Sequence, residues 1–177
     1  MIVSLGAVIL GAVFMRIIPH APNVSPIAAL ALFSGVMIPG WGMFVIPLVA
    51  MVLSDMVIGF HSTVPFVYGS FLLIVALGYV LKKHNNFISI TLASLFGSVL
   101  FFIITNFGSW ATTNLYQKNL SGLMHSYEMG LPFFRNTLIG DLLYTGAFFV
   151  GFAVLKLLFV LMLPSTQKVE RHVGNTV

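Results

Sequence analysis

Leu131-Pro132-Phe133-Phe134-Arg135-Asn136-Thr137-Leu138-Ile139-Gly140-Asp141-Leu142-Leu143-Tyr144-Thr145 opens an apolar run that continues to about position 163. A proline followed by Arg, Asn and Asp is a costly start for a segment long enough to cross a membrane. A charge at the centre of a lipid-facing helix costs roughly 2.5 to 3.5 kcal/mol, so such residues face a bundle interior or a wet cavity. On a helix, Thr137, Asp141, Tyr144 and Thr145 fall on one face. Arg135, six residues before Asp141, points elsewhere and is expected to pair across helices.

The composition agrees with a membrane reading. Of 177 residues, 59% are hydrophobic and 7% charged, with a mean hydropathy of +1.05. A soluble domain has about 45 to 50% apolar and about 25% charged residues. Each crossing takes about 20 residues, which leaves no room for a soluble catalytic domain. The net charge of +4 is confined to short loops and a tail, unlike the basic stripe of a nucleic-acid binder, so no nucleic-acid partner is expected. There is no cysteine, which excludes disulfides, thiolate metal sites and cysteine nucleophiles. The first apolar segment lacks a basic n-region and carries Arg16 at its far end. It reads as a retained helix, not a signal peptide.

Apolar runs separated by Pro, Gly, Asn or charge predict six helices, at about 2–18, 25–38, 41–60, 63–81, 87–108 and 134–163, with the second short for a full crossing. The expected fold is all-α, a polytopic bundle of about six transmembrane helices forming one domain over 1–163, followed by a cytoplasmic tail at 164–177. Lys82-Lys83-His84 between the fourth and fifth spans, and Lys156, Lys168 and Arg171 near the C-terminus, lie on one side of such a bundle. By the positive-inside rule both termini are cytoplasmic, in a multi-pass protein of the cell inner (plasma) membrane with the lipid bilayer as its surroundings. Threading then brings Arg16, Asp55, Asn106, Arg135, Asn136 and Asp141 into the outer half.

The first outer link, Arg16-Ile17-Ile18-Pro19-His20-Ala21-Pro22-Asn23-Val24-Ser25-Pro26, is stiffened by three prolines. It can hold Arg16, His20 and Asn23 over a cavity at low entropic cost; the alternative is a rigid connector with an arginine snorkelling to water. Asp55, in Ser54-Asp55 to Gly59-Phe60-His61, has no basic neighbour in sequence and needs a partner from another span, Arg16 or Arg135. That pair either locks the bundle or serves a ligand. Thr105-Asn106-Phe107-Gly108-Ser109-Trp110 sets a hydrogen-bonding amide one turn from an indole. Trp110 either stacks on a flat ligand or joins the interfacial aromatic belt. The stretch from about 111 to 131 reads as a long outer loop and a lid. His125 and Glu128 within it show no zinc-protease spacing, and no metal site or cofactor is expected. Small residues at Ser4, Ala7 and Gly11 let another helix approach the first span, within this bundle or on a partner subunit.

No GxSxG, P-loop or paired intramembrane glutamates are present, so no enzyme class is supported. No inverted repeats or matched broken helices support a secondary transporter.

The four motifs around Arg16, Asp55, Asn106 and Arg135 resemble, in the same order, those of an uncharacterised bacterial family described as putative transport proteins, over nearly the whole chain. In size and six-span plan the chain is also similar to the substrate-binding S components of energy-coupling-factor vitamin importers. That resemblance implies capture of a small nutrient from the outer side, and docking through Ala7 and Gly11 on a transmembrane coupling subunit driven by ATPase subunits. The expected function is therefore a membrane-embedded substrate-binding subunit that takes a small-molecule substrate into an outward pocket. Arg16 and Arg135 would orient an anionic group or fix the acidic residues. Asp55, Asn106 and Asp141 would supply hydrogen bonds, Trp110 would stack, and His20, Asn23, Asn136 and Tyr144 would complete the wall. The rival readings are a standalone channel or proton-coupled carrier, and a non-transport membrane scaffold with structural charge pairs.

Overall fold

The computed structural model describes residues 2–162, with side-chain surroundings from Gly6 onward. Ser4 and the tail at 164–177 lie outside the residues so described. Among the described residues six helices follow one another: α1 (Ile2–Ile17), α2 (Ile27–Met37), α3 (Gly42–Ile58), α4 (Val64–Leu81), α5 (Phe87–Thr112) and α6 (Leu120–Met162). The last three are each long and apolar enough to cross a membrane, whereas α1, α2 and α3 are apolar but shorter.

The short helix α2 is the hub. It has 11 residues, or about 16 Å at 1.5 Å per residue, and it touches each of the other five helices. Ile27 to Leu32, Ser34, Gly35 and Val36 are all buried, and a helix apolar all round belongs inside a bundle. Its closest neighbour is α4, where a Cβ on Gly35 would lie 2.2 Å from the Val75 carbonyl oxygen and one on Gly78 would lie 2.5 Å from that of Leu32. Two glycines thus set the distance between the helices. The Ser34 hydroxyl donates to the Met43 carbonyl at 2.9 Å, tying α2 to the start of α3.

Helices α5 and α6 are built with small groups inward and large apolar groups outward. On α5, Ala93, Ser94, Gly97, Ser98 and Gly108 are buried, while Leu92, Phe96 and Ile103 are exposed. On α6, Gly122, Ser126, Gly130, Thr137, Gly140, Asp141 and Thr145 are buried. Beyond Thr145, α6 carries mostly exposed apolar side chains, with Phe148, Phe149 and Phe152 gathered around Phe33 of α2.

The expected lid at 111–131 is not a loop. α5 continues to Thr112 and α6 begins at Leu120, leaving 113–119 as the connection. The Asn119 side chain accepts a hydrogen bond from the Gly122 amide at 2.8 Å, which is N-cap chemistry. Gly122, Ser126 and Gly130, four apart, then present a continuous small face. Pro132 sits inside α6, where it ends no helix.

Candidate functional site

Where α1 and α3 end and α2 and α4 begin, a cavity of about 440 Å³ opens in the bundle. Its wall takes Arg16 from α1, His20, Asn23 and Ser25 from the first link, Ile58 and His61 from the end of α3 and beyond, Val67 and Phe71 from α4, Phe101 and Thr105 from α5, and Thr137 and Asp141 from α6. His20, Asn23, Ile58 and His61 are exposed and form the rim; Ala28, Phe71, Thr137 and Asp141 are buried and form the floor. The prolines hold the link to its course, and Asn23 turns it with φ of 65°, a left-handed conformation that asparagine tolerates better than most residues. The Asn136 side chain donates to the Pro22 carbonyl at 3.1 Å, fastening the link to α6.

On one side of the cavity, the Arg16 guanidinium pairs with Asp55 Oδ1 at 2.6 Å and donates to the Ser54 hydroxyl through the same nitrogen. The Tyr68 hydroxyl donates to Asp55 Oδ2 at 2.8 Å. Asp55 is fully buried, so both of its oxygens are satisfied by the protein and it does not border the cavity. Gly59, with φ of 103°, ends α3 just beyond it and lets the chain turn toward His61.

On the other side stands Asp141, 3% exposed. The Ser98 hydroxyl donates to its Oδ2 at 2.6 Å. Its Oδ1 makes no hydrogen bond among the described residues, and it is not sealed from solvent. Phe71 and Phe101, stacked with centroids 5.2 Å apart, give the cavity an apolar wall.

A second cavity of about 270 Å³ adjoins the first, sharing Asn23, Phe101, Thr105 and Thr137. Asn106 lines it together with Phe102, Gly130 and Phe133. The Asn106 amide donates to the Phe102 carbonyl at 2.8 Å, and Gly130 makes room for its side chain, since a Cβ there would lie 2.4 Å from Asn106 Oδ1.

The structure therefore brings Arg16, His20, Asn23 and Asp141 to one cavity and Asn106 to its neighbour. Arg135 does not join them: it is exposed and makes no hydrogen bond or ion pair among the described residues. A helix turns about 100° per residue, so its six-residue offset from Asp141 carries it off the inner face. Tyr144 is half-buried but lies in neither cavity wall, because the inner face follows Thr137, Asp141 and Thr145. Trp110 is also outside both walls. Its indole donates to the Gln117 carbonyl at 2.9 Å, and Lys118 lies 5.8 Å from its ring centroid while donating to its carbonyl, so it braces the α5–α6 connection. Asn136 acts through its tether to Pro22. His125 and Glu128 form an exposed pair at 3.4 Å.

Four polar residues of this region were not singled out from the sequence: Ser98, Ser54, Tyr68 and Thr105. Ser94 and Ser98, four apart in an otherwise apolar span, were the available signal for a polar inner face on α5.

The described residues form an all-α fold with three helices long and apolar enough to cross a membrane, and with a cavity lined by polar and apolar side chains. The chain belongs to a family of unknown function, DUF6580, matched over residues 1–165. No curated protein and no solved structure matches it.

Proposed function

We propose that this protein is a membrane-embedded solute-binding subunit of an importer, multi-pass in the inner (plasma) membrane, with both termini cytoplasmic and the cavity opening outward. The observation that carries the reading is the meeting of Arg16, His20 and Asn23, from one short segment, with Asp141, from the distant α6, at one open-mouthed cavity. Its volume of about 440 Å³ suits a small organic molecule, since ligand pockets run from about 300 to 1,000 Å³.

Small residues packed inward with large apolar ones outward support a lipid surrounding, where close backbone approach replaces the hydrophobic effect as the force between helices. The apolar run of α6 from Gly146 to Leu155 carries no charged or hydroxyl side chain before Lys156, which favours capture over an ion path. Ala7 and Gly11 lie on an exposed face of α1, with nothing within 4 Å of a Cβ at Gly11, which is compatible with docking on a coupling subunit that works with ATPase subunits. The chain itself carries no nucleotide motif, and the proposed role is binding without catalysis.

The test is gentle purification followed by mass spectrometry of any retained small molecule, with copurifying subunits identified in the same sample. Recovery of a stoichiometric solute and of ATPase subunits is the expected outcome. A preparation empty of both, unmoved in thermal unfolding by a vitamin and precursor library, would sink the importer reading, because a ligand selective for the folded state raises apparent stability.

One observation favours the scaffold reading instead. Arg16, Asp55, Ser54 and Tyr68 are bonded to one another, as a structural lock would be. Full cellular function in a variant with Arg16 and Asp55 exchanged would favour that view for the pair.

A further inference from the structure

The ionisable groups around the cavity do not cancel. Arg16 and Asp55 neutralise each other at 2.6 Å, and Tyr68 covers the remaining Asp55 oxygen. From the link and the segment after α3 come only the imidazoles of His20 and His61, each held through Nδ1, by the Ile18 carbonyl and the Thr63 hydroxyl respectively. α5 contributes Phe101 and Thr105 to the wall, and α6 contributes Thr137 and Asp141. Lys82, Lys83, Lys118, Arg135 and Lys156 border neither cavity. Asp141 is thus the one cavity-lining carboxyl group among the described residues, without a cation beside it and with one oxygen not hydrogen-bonded.

Resting on the reading of this cavity as a solute site, we propose that its solute is an organic cation with one net positive charge, whose ammonium or comparable group is held at Asp141 Oδ1. A carboxylate that is 3% exposed keeps its charge at a cost that a counter-charge relieves, and no protein cation meets it here. A ligand anion would do the reverse: it would add negative charge near Asp141 and compete with Asp55 for Arg16. The guanidinium nitrogens that Arg16 does not spend on Asp55 and Ser54 suit a neutral acceptor, such as a carbonyl or ring nitrogen, on the same molecule. The stacked Phe71 and Phe101 on the wall, with Phe102 and Phe133 in the adjoining space, favour an apolar or aromatic body over a bare metal ion, and aromatic faces attract organic cations.

Three probes of one ring system and different charge separate the possibilities: tryptamine, its alcohol tryptophol, and indole-3-acetate. Thermal unfolding and equilibrium binding are measured on the full chain in nanodiscs at neutral pH. Tryptamine is expected to bind more tightly than tryptophol, with indole-3-acetate weakest. Asp141→Asn should lower tryptamine affinity by about tenfold or more and tryptophol affinity by much less, so that the preference for the cation shrinks, while Asp141→Glu keeps part of it. If Asp141→Asn does not fold, the ranking of the three probes on the unaltered protein decides. Tryptophol or indole-3-acetate binding as well as tryptamine would overturn the charge assignment and leave the cavity as a solute site. If no probe binds, the charge of the solute retained on purification decides: a cation supports the assignment and a neutral or anionic one overturns it. No binding and no retained solute would overturn both the assignment and the solute-site reading.

Discussion

Arg16 reaches Asp55 across 39 positions of sequence, and the pair sits with one side chain fully buried. Removing one partner of a buried pair leaves an uncompensated charge and costs about 3–5 kcal/mol, whereas replacing both with apolar groups is often neutral. Arg16→Met alone should therefore destabilise the protein by several kcal/mol in denaturant unfolding in detergent. The double variant Arg16→Met, Asp55→Leu should recover most of the loss; a double variant as unstable as the single would refute the account of the lock. Tyr68→Phe takes the donor from Asp55 Oδ2 and should cost about 1.5–3 kcal/mol by the same measurement, as for hydrogen bonds to charged groups. The need for a partner to Asp55 was legible in the sequence, and Arg16 was one of two candidates. The choice between Arg16 and Arg135 was not, because it depends on how two helices rotate about their axes.

The α2–α4 crossing rests on Gly35 and Gly78, where an added Cβ meets backbone atoms that have no room to yield. Gly35→Ala and Gly78→Ala should each cost about 1–3 kcal/mol, the usual range for overpacking. Gly11→Ala, with nothing within 4 Å, should stay within about 0.5 kcal/mol. Equal thermal midpoints for all three variants would contradict the packing described for α2. In the adjoining cavity, Gly130→Ala forces Asn106 to move; under the proposed solute-binding function it should lower the solute retained on purification, measured by mass spectrometry, more than it lowers the thermal midpoint. Element ends were partly readable. Asn86 caps α5 by accepting from the Ser89 amide, at the boundary that the sequence marks. The start of α6 was missed because the polar residues around His125 obscure the four-residue spacing of Gly122, Ser126 and Gly130.

The arrangement of the whole bundle makes a prediction about sidedness that the absence of cysteine renders simple to check. His20, His61 and Lys83 are all exposed. Single cysteines at His20 and His61 should react with an impermeant thiol reagent from the outer side of intact cells, and one at Lys83 only after permeabilisation. Labelling of all three from the same side would refute the proposed orientation. Three of the described helices are below spanning length, and one of these is the hub of the bundle. The short α2 touches each of the other five helices, and its residues from Ile27 to Leu32 are all buried.

From the amino-acid order alone came the helical class, the approximate limits of most helices and the expectation that scarce hydrophilic groups gather at one end, because apolar run length and proline position are local properties. Only the tertiary structure decided that Arg16 is committed to Asp55, that Asp141 meets Ser98 and the cavity, and that Trp110, Arg135 and Tyr144 stand outside it. Those outcomes depend on helix rotation and on the close approach permitted by individual glycines. Both are set by packing among elements far apart in the chain, and no local pattern encodes them.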